Sequence, residues 1–312
     1  MLKYIGKRIL MMVPVIVGVS FIIFSIMNLT PGDPARLILG ENADYEAVLA
    51  LREDLGLNDN FFVRYGRYVL NAFRLDFGQS YRTRLPVYQE IFARFPNTLA
   101  LAFWGMALAV VIGLPIGVIS AVKQYSLIDG VSLAVALILT SMPAFWLGLL
   151  LMLQFSLRLN LLPATGADTW RNFVLPSITL AVGTMAILIR MTRSTMLEVI
   201  RQDYIRTAKA KGADTKRVIF VHALRNAMLP VITIIGINFG FQLGGAIITE
   251  SVFAMPGLGS LMITSVRMKD TPVVMASVLF VAIIAGVVNL LVDIIYVYID
   301  PRIKSQYVRA KG

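Results

Sequence analysis

Leu10 to Leu29 is a run of twenty residues without a charged side chain. As an α-helix it would be about 30 Å long, the thickness of a bilayer's hydrocarbon core. In lipid every backbone N–H and C=O must be satisfied within the chain, which leaves helices or closed barrels as spanning structures. Five further apolar runs lie at about 97–122, 128–157, 173–193, 227–252 and 273–299. All are long enough for helices, so the expected fold is all-α and integral to a membrane, with six transmembrane helices. Composition agrees: of 312 residues, 57% are hydrophobic and only 15% charged, outside the range of soluble globular domains. Lys3, Lys7 and Arg8 precede the first run, which is too long for a signal-peptide core and has no small-x-small cleavage site after it. It reads as a retained anchor.

A net charge of +11 would suggest nucleic acid in a soluble protein. Here its distribution decides, because cytoplasmic flanks of membrane helices collect Lys and Arg. Six spans place both termini on one side. With the N-terminus cytoplasmic, the inner segments are strongly basic: Lys123 and Asp129 cancel, residues 190–226 carry nine basic and three acidic residues, and residues 300–312 four and one. The long segment 30–96 carries eight basic and nine acidic residues and falls outside. Nucleic acid is therefore not an expected partner, and membrane lipid is. The expected organisation is a tail and first helix at 1–29, an extracellular helical subdomain at 30–96, a five-helix core at 97–299 with a cytoplasmic loop at 194–226, and a cytoplasmic tail at 300–312.

The outer segment should fold, since Phe61, Phe62, Tyr65, Tyr68, Phe73 and Phe77 recur near helical spacing. "LTPGDP" (29–34) ends the first helix, because each Pro disfavours helix in the residue before it. Asp44 is placed to cap a helix stopping at Gly56, and Asn58 or Asp59 a second stopping near Gly78.

Several chemistries are missing. The only Gly-Lys pair is Gly6-Lys7, followed by Arg8, so the phosphate-cradling G-x-x-x-x-G-K-[ST] loop is absent. Cysteine is absent and His222 is the single histidine, so no metal site is expected. "GVSF" around Ser20 could suggest a membrane serine protease, but its only available base lies in the cytoplasmic loop. No catalytic residue is assigned. Arg158, Arg190, Glu250 and Asp293 lie towards span ends, whereas ion-coupled transporters usually keep ionisable groups near the midplane. A driving force from a partner fits better than a stand-alone secondary transporter or channel, which stays as the alternative.

Asn238 and Gln242 stand four apart within a span, as do Asn289 and Asp293, so each pair shares a helical face. They serve either interhelical packing, helped by Gly113-x-x-x-Gly117 and Gly240-x-x-x-Gly244, or the lining of a weakly polar passage.

The block "RTAKAKGADTKRVIFVHALRNAMLP" (206–230) concentrates six Lys or Arg, one Asp and His222. Tyr204 to Lys211 suits a helix with a basic last turn, and Gly212 a left-handed stop. Asp214 or Thr215 is placed to cap a second short helix through about Arg225, before Pro230 opens the fifth span. Val218, Ile219 and Phe220 give this elbow apolar surface. Physics alone leaves three readings open: docking on a cytoplasmic partner, a solvated loop that sets orientation, or a patch for anionic lipid. His222 reads as a packing or hydrogen-bonding residue.

This block resembles the cytoplasmic signature of the inner-membrane permeases of bacterial ABC importers, E-A-A, three residues, Gly, nine residues, I-x-L-P. Arg206-Thr207-Ala208 stands at E-A-A and Gly212 at the glycine, but the Leu-Pro arrives late, at Leu229-Pro230. The departure is similar to the peptide, dipeptide and nickel branch. So are "DFGQS" (76–80), "SMPAFWLG" (141–148), "LLPATGAD" (161–168), "ESVFAMPGLG" (250–259) and "DPR" (300–302). Their order over essentially the whole chain, with the long segment after the first span, resembles the B-type permease subunit of the oligopeptide/dipeptide family. The resemblance implies a type I importer permease working with a C-type permease subunit, two cytoplasmic ATPases that bind ATP and Mg, and an extracellular solute-binding protein. This chain would bind no cofactor of its own. It further implies that Thr207, Ala208, Gly212, Leu229 and Pro230 belong to a helix that docks in an ATPase groove. Lys209, Lys211 and Arg217 are expected to contribute electrostatic docking. Arg206, where the motif has glutamate, puts any contact specific to that acid in question. Pro256, Gly257, Leu258 and Gly259 resemble part of an outer gate or binding-protein seat. The expected function is ATP-driven import of short peptides, with nickel, glutathione or oligosaccharide as alternative cargo.

Overall fold

The computed structural model describes residues 2–30, 32–40 and 42–299, with the side chains of 2–4, 245, 293 and 295–299 outside that description. The expected tail, the "DPR" stretch and the side chain of Asp293 thus lie outside the described residues. The described chain is helical throughout its spans, in order α1 (Leu2–Leu29), α2 (Pro34–Leu39), α3 (Tyr45–Asp54), α4 (Phe61–Phe73), α5 (Val87–Val122), α6 (Leu127–Ser141), α7 (Ala144–Leu151), α8 (Val174–Ile200), α9 (Asp203–Ala210), α10 (Thr215–Arg217), α11 (Leu224–Gly245), α12 (Ile247–Val252), α13 (Leu258–Arg267) and α14 (Thr271–Ile299). Among the described residues five stretches are long and apolar enough to cross a membrane as single helices: Ile5–Leu29, Val87–Val122, Trp170–Ile200, Thr215–Gly244 and Thr271–Val292. The pair Leu127–Ser141 and Ala144–Arg158, bent by 99°, has the length and apolar character for a sixth only when its two arms count as one broken span.

That bend replaces the straight span expected over 128–157. Met142 takes an extended ψ of 124°, as residues before proline do, and Pro143 offers no N–H to carry the ladder on. After α7 the chain widens into a π-helix, Met152–Arg158. Two other boundaries differ. The second crossing begins at Val87, ten residues before the apolar run, because Glu90 and Arg94 pair one turn apart and so fit a helix despite their charge. Pro230 lies inside a helix and does not open one; the chain runs helically from Thr215 through a π segment, Val218–Ala223, into α11. A short helix ending near Arg225 is therefore not what forms.

The chain divides into two compact units, Met1–Thr98 with Pro256–Gly286, and Leu99–Met255 with Val287–Gly312. In the first, Phe24, Met27, Val274 and Met275 form a core with Phe61, Tyr65 and Tyr68. A second core joins Val87, Ile91, Leu258, Leu261, Val273 and Ala276. Asp33 caps α2 through Ala35 N–H. The cap of α4 is Asn60, accepting from Phe62 N–H at 3.0 Å, and not Asn58 or Asp59; Asp59 is drawn away by Arg67 at 2.7 Å. The helix stops at Phe73, short of Gly78. Ser20 shares a hydrogen bond with the Tyr65 hydroxyl at 2.9 Å.

In the second unit α8 is the central helix, with thirteen buried residues on it. Gly113 and Gly117 of α5 lie on it so closely that a Cβ on Gly117 would stand 2.7 Å from Thr192 Cβ and 2.9 Å from the Ile189 carbonyl. This is the close approach small residues permit between membrane helices. Gly240 of α11, by contrast, meets nothing within 4 Å.

Candidate functional site

The basic block folds as an ordered elbow at the ends of the membrane helices. Asp203 to Ala210 forms α9, Lys211 follows as its C-cap, and Gly212 turns the chain at φ +81°. A residue with a side chain would be strained in that left-handed conformation, which glycine adopts at little cost. Asp214 then accepts Lys216 N–H at 3.3 Å and caps the helix that becomes α11. What fixes the elbow is apolar: Ile205, Val218, Ala223 and Ala227 are buried with Val118 and Ala121 of α5 and Met196 of α8, and Ala213 and Ile219 pack against them. Of the three apolar residues expected to face outward, Val218 is fully buried and Ile219 partly. Phe220 is 60% exposed.

The polar side chains point away from that anchor. Thr207, Lys209, Lys211, Gly212 and Arg217 are exposed, and Ala208 is half-buried. Arg206 stands 3.7 Å from Asp203, both highly exposed, a contact worth little in water. Among the described residues no acidic group lies within ion-pair distance of Lys209, Lys211, Lys216 or Arg217. Leu229 and Pro230 are half-buried, and the Leu229 carbonyl accepts the Thr233 hydroxyl at 3.1 Å. His222 is half-buried and its carbonyl accepts Asn226 Nδ2 at 2.7 Å. Burial raises the Tyr204 phenol above its ordinary range, against a smaller opposing pull from Asn226, so it stays protonated at neutral pH. The arrangement is a rigid, cationic projection.

The residues weighed as pathway lining behave differently from one another. Gln242 is buried in this chain, its Nε2 donating to Thr184 at 3.1 Å while Oε1 finds no partner. Asn238 bonds back to the Ile234 carbonyl at 2.8 Å. Asn289 is exposed. Gln242 thus ties α11 to α8.

In the first unit, Pro256 to Gly259 is pinned to the start of α5. Asn97 Nδ2 donates to the Pro256 carbonyl at 2.9 Å, and the Leu258 N–H donates to Thr98 at 2.8 Å. Gly257 caps α13, its N–H 3.1 Å from the Ser260 hydroxyl. Gly257, Leu258 and Gly259 are buried.

Charge counting missed one polar centre, having set Asp129 against Lys123. Asp129 is 3% exposed and takes four hydrogen bonds: from Arg193 Nε at 2.6 Å and Nη2 at 2.8 Å, Ser120 at 2.6 Å and Tyr125 N–H at 2.9 Å. This two-pronged pair links α5, α6 and α8 beside the helix ends that hold the elbow. Its only trace in the sequence is an acid at the start of an apolar run.

Several membrane-length apolar helices, with an ordered basic elbow at their ends, define a multi-pass membrane protein. Residues 113–305 match the binding-protein-dependent transport system inner membrane component, and residues 1–102 match the N-terminal region of such membrane components. The chain belongs to this family, and it is a permease subunit of an ABC importer in the inner membrane. It is 42% identical to the dipeptide transport system permease protein DppB of Alkalihalophilus pseudofirmus, over 97% of this chain and 100% of that one. It is 43% identical to the glutathione transport system permease protein GsiC of Escherichia coli, over 97% and 99%. Among solved structures, the inward-facing MetNI methionine ABC transporter matches with a TM-score of 0.57 at 22% identity, covering 67% of this chain and 95% of that one. An amino acid ABC transporter matches at 0.53 and 15% identity, covering 67% and 94%. These structural likenesses speak for the fold.

Proposed function

We propose that the chain forms half of a translocation pathway for dipeptides and short oligopeptides, driven by ATP hydrolysed on other subunits. It would pair with a C-type permease subunit, receive cargo from an extracellular solute-binding protein, and pass force through the 203–226 elbow to one of two cytoplasmic ATPases that hold ATP and Mg. It has no ATP site and no catalytic residue of its own, and both termini face the cytoplasm. The observation that carries this reading is the elbow: buried apolar residues fix it to α5 and α8, while its cationic residues stand exposed, as a docking element requires. Thr207, Ala208, Lys209, Lys211, Gly212 and Arg217 would make the contact, with Leu229 and Pro230 setting the helix that transmits it. Gly240, open on its own helix face, is suited to close approach of the second permease subunit. Asn238, Asn289 and Asp293 are the pathway candidates, Gln242 the helix tie beside them, and Pro256 to Gly259 the outer-gate candidates.

Glutathione is the second reading, favoured by the Escherichia coli relative. Uptake of labelled dipeptide by liposomes holding the assembled complex and its binding protein, with unlabelled peptides, glutathione, nickel and oligosaccharide as competitors, decides between them. Competition by peptides alone supports the peptide reading; stronger competition by glutathione replaces it; uptake by this chain alone without ATP overturns the importer reading.

A further inference from the structure

We infer that α4 is an interfacial membrane helix, its outward apolar face seated in the lipid leaflet at the C-terminal end of α1. Its depth follows from α1. The Tyr65 hydroxyl donates to the Val17 carbonyl at 3.2 Å and meets the Ser20 hydroxyl at 2.9 Å. Ser20 precedes Leu29, the end of the uncharged run, by nine residues, about 13 Å along a helix. Phe61 and Tyr65 pack edge-on to Phe21 at 6.0 and 5.2 Å, and Tyr68 lies over Phe24 at 6.2 Å. The helix therefore crosses α1 below the end of the hydrocarbon-length run.

At 100° per residue α4 has three faces. Phe61, Tyr65 and Tyr68 face α1. Arg64, Arg67 and Asn71 line a cavity of about 450 Å³, and Arg64 reaches up to Asn28 Oδ1 at 2.8 Å, as a snorkelling side chain does. The third face holds Phe62, Val63, Gly66, Val69, Leu70 and Phe73, with no polar residue among them. Phe62, Val63, Leu70 and Phe73 are 71%, 54%, 63% and 74% exposed. Water-facing helices do not present such a stripe. A helix with one cationic edge and an aromatic-rich apolar face, lying at this depth, fits the boundary between headgroups and acyl chains. The segment between the first two crossings thus holds a lipid anchor within it.

Because the chain has no cysteine, single-cysteine variants carry a nitroxide without competition from this subunit. In the assembled complex, in nanodiscs of phosphatidylethanolamine and phosphatidylglycerol, labels at Phe62→Cys, Leu70→Cys and Phe73→Cys should collide more with oxygen than with a water-soluble nickel complex, as at Ile26→Cys of α1. Arg67→Cys should show the reverse. Nickel collisions exceeding oxygen at all three apolar positions overturn the inference, and so does exclusion of both probes, which would mean a protein partner covers the face. A second measurement needs no substitution: a photoreactive acyl-chain lipid should label residues 61–73 of the unmodified complex, and absence of label there while α1 is labelled contradicts the assignment.

Discussion

The segment 30–86 and the elbow 203–226 are both short helical insertions between membrane crossings, yet they treat their charges oppositely. The first has nearly balanced charge and pairs part of it internally, Arg52 with Asp33 and Arg67 with Asp59. The second is strongly basic and leaves Lys209, Lys211 and Arg217 exposed, while its apolar residues are spent on its own anchor. A segment of balanced, partly paired charge presents no net charge to a partner; one that is fixed by apolar packing and leaves several cations exposed is built to meet an anionic surface of another protein.

Reversing Lys209, Lys211 and Arg217 to Glu should have the largest effect. Uptake should fall at least about tenfold, since losing and repelling several interfacial charges costs more than 1.4 kcal/mol, with the chain still inserted and cleanly eluting in detergent. The same reversal at Arg67 should leave uptake within about twofold, because exposed pairs contribute about 0–1 kcal/mol. The elbow's support is the next target. Arg193→Ala leaves the buried Asp129 without its counter-ion and should destabilise the chain by about 3 kcal/mol, read as a lower thermal midpoint of the purified complex. Ile205→Ala, at a site with no exposure, should cost about 2–4 kcal/mol and loosen the elbow, seen as faster amide exchange in α9. Gly212→Ala adds a methyl that meets no atom within 4 Å, so its effect should be confined to the left-handed backbone, about 1 kcal/mol; a larger side chain there should uncouple uptake without unfolding the chain. Tyr65→Phe should be mildest, about 1 kcal/mol from the lost bonds to Val17 and Ser20.

The helical membrane fold was legible because apolar runs of bilayer length admit few alternatives. The turn at Gly212 and the cap at Asp214 were legible too, since both are set by residues within a few positions. What was hidden depends on partners distant in sequence. Asp129 looked like one charge offsetting Lys123, and only folding brings Arg193, sixty-four residues on, against it. Asn60 won the α4 cap because Arg67 holds Asp59. The early start at Val87 was masked by Glu90 and Arg94, whose charges end an apolar run without ending a helix. Pro230 could open a helix or sit within one, and in the fold it sits within α11. The bend at Met142-Pro143 was different: its signal was local, and the apolar length of the run overshadowed it.

The central claim, that force enters through the elbow, is tested most directly by ATP-dependent peptide uptake in liposomes holding the assembled complex with its binding protein, comparing the unsubstituted chain with the Lys209, Lys211 and Arg217 reversal. The variant should insert normally, lose co-purification with the ATPases and lose uptake. Uptake and co-purification both persisting at unsubstituted levels would contradict the claim.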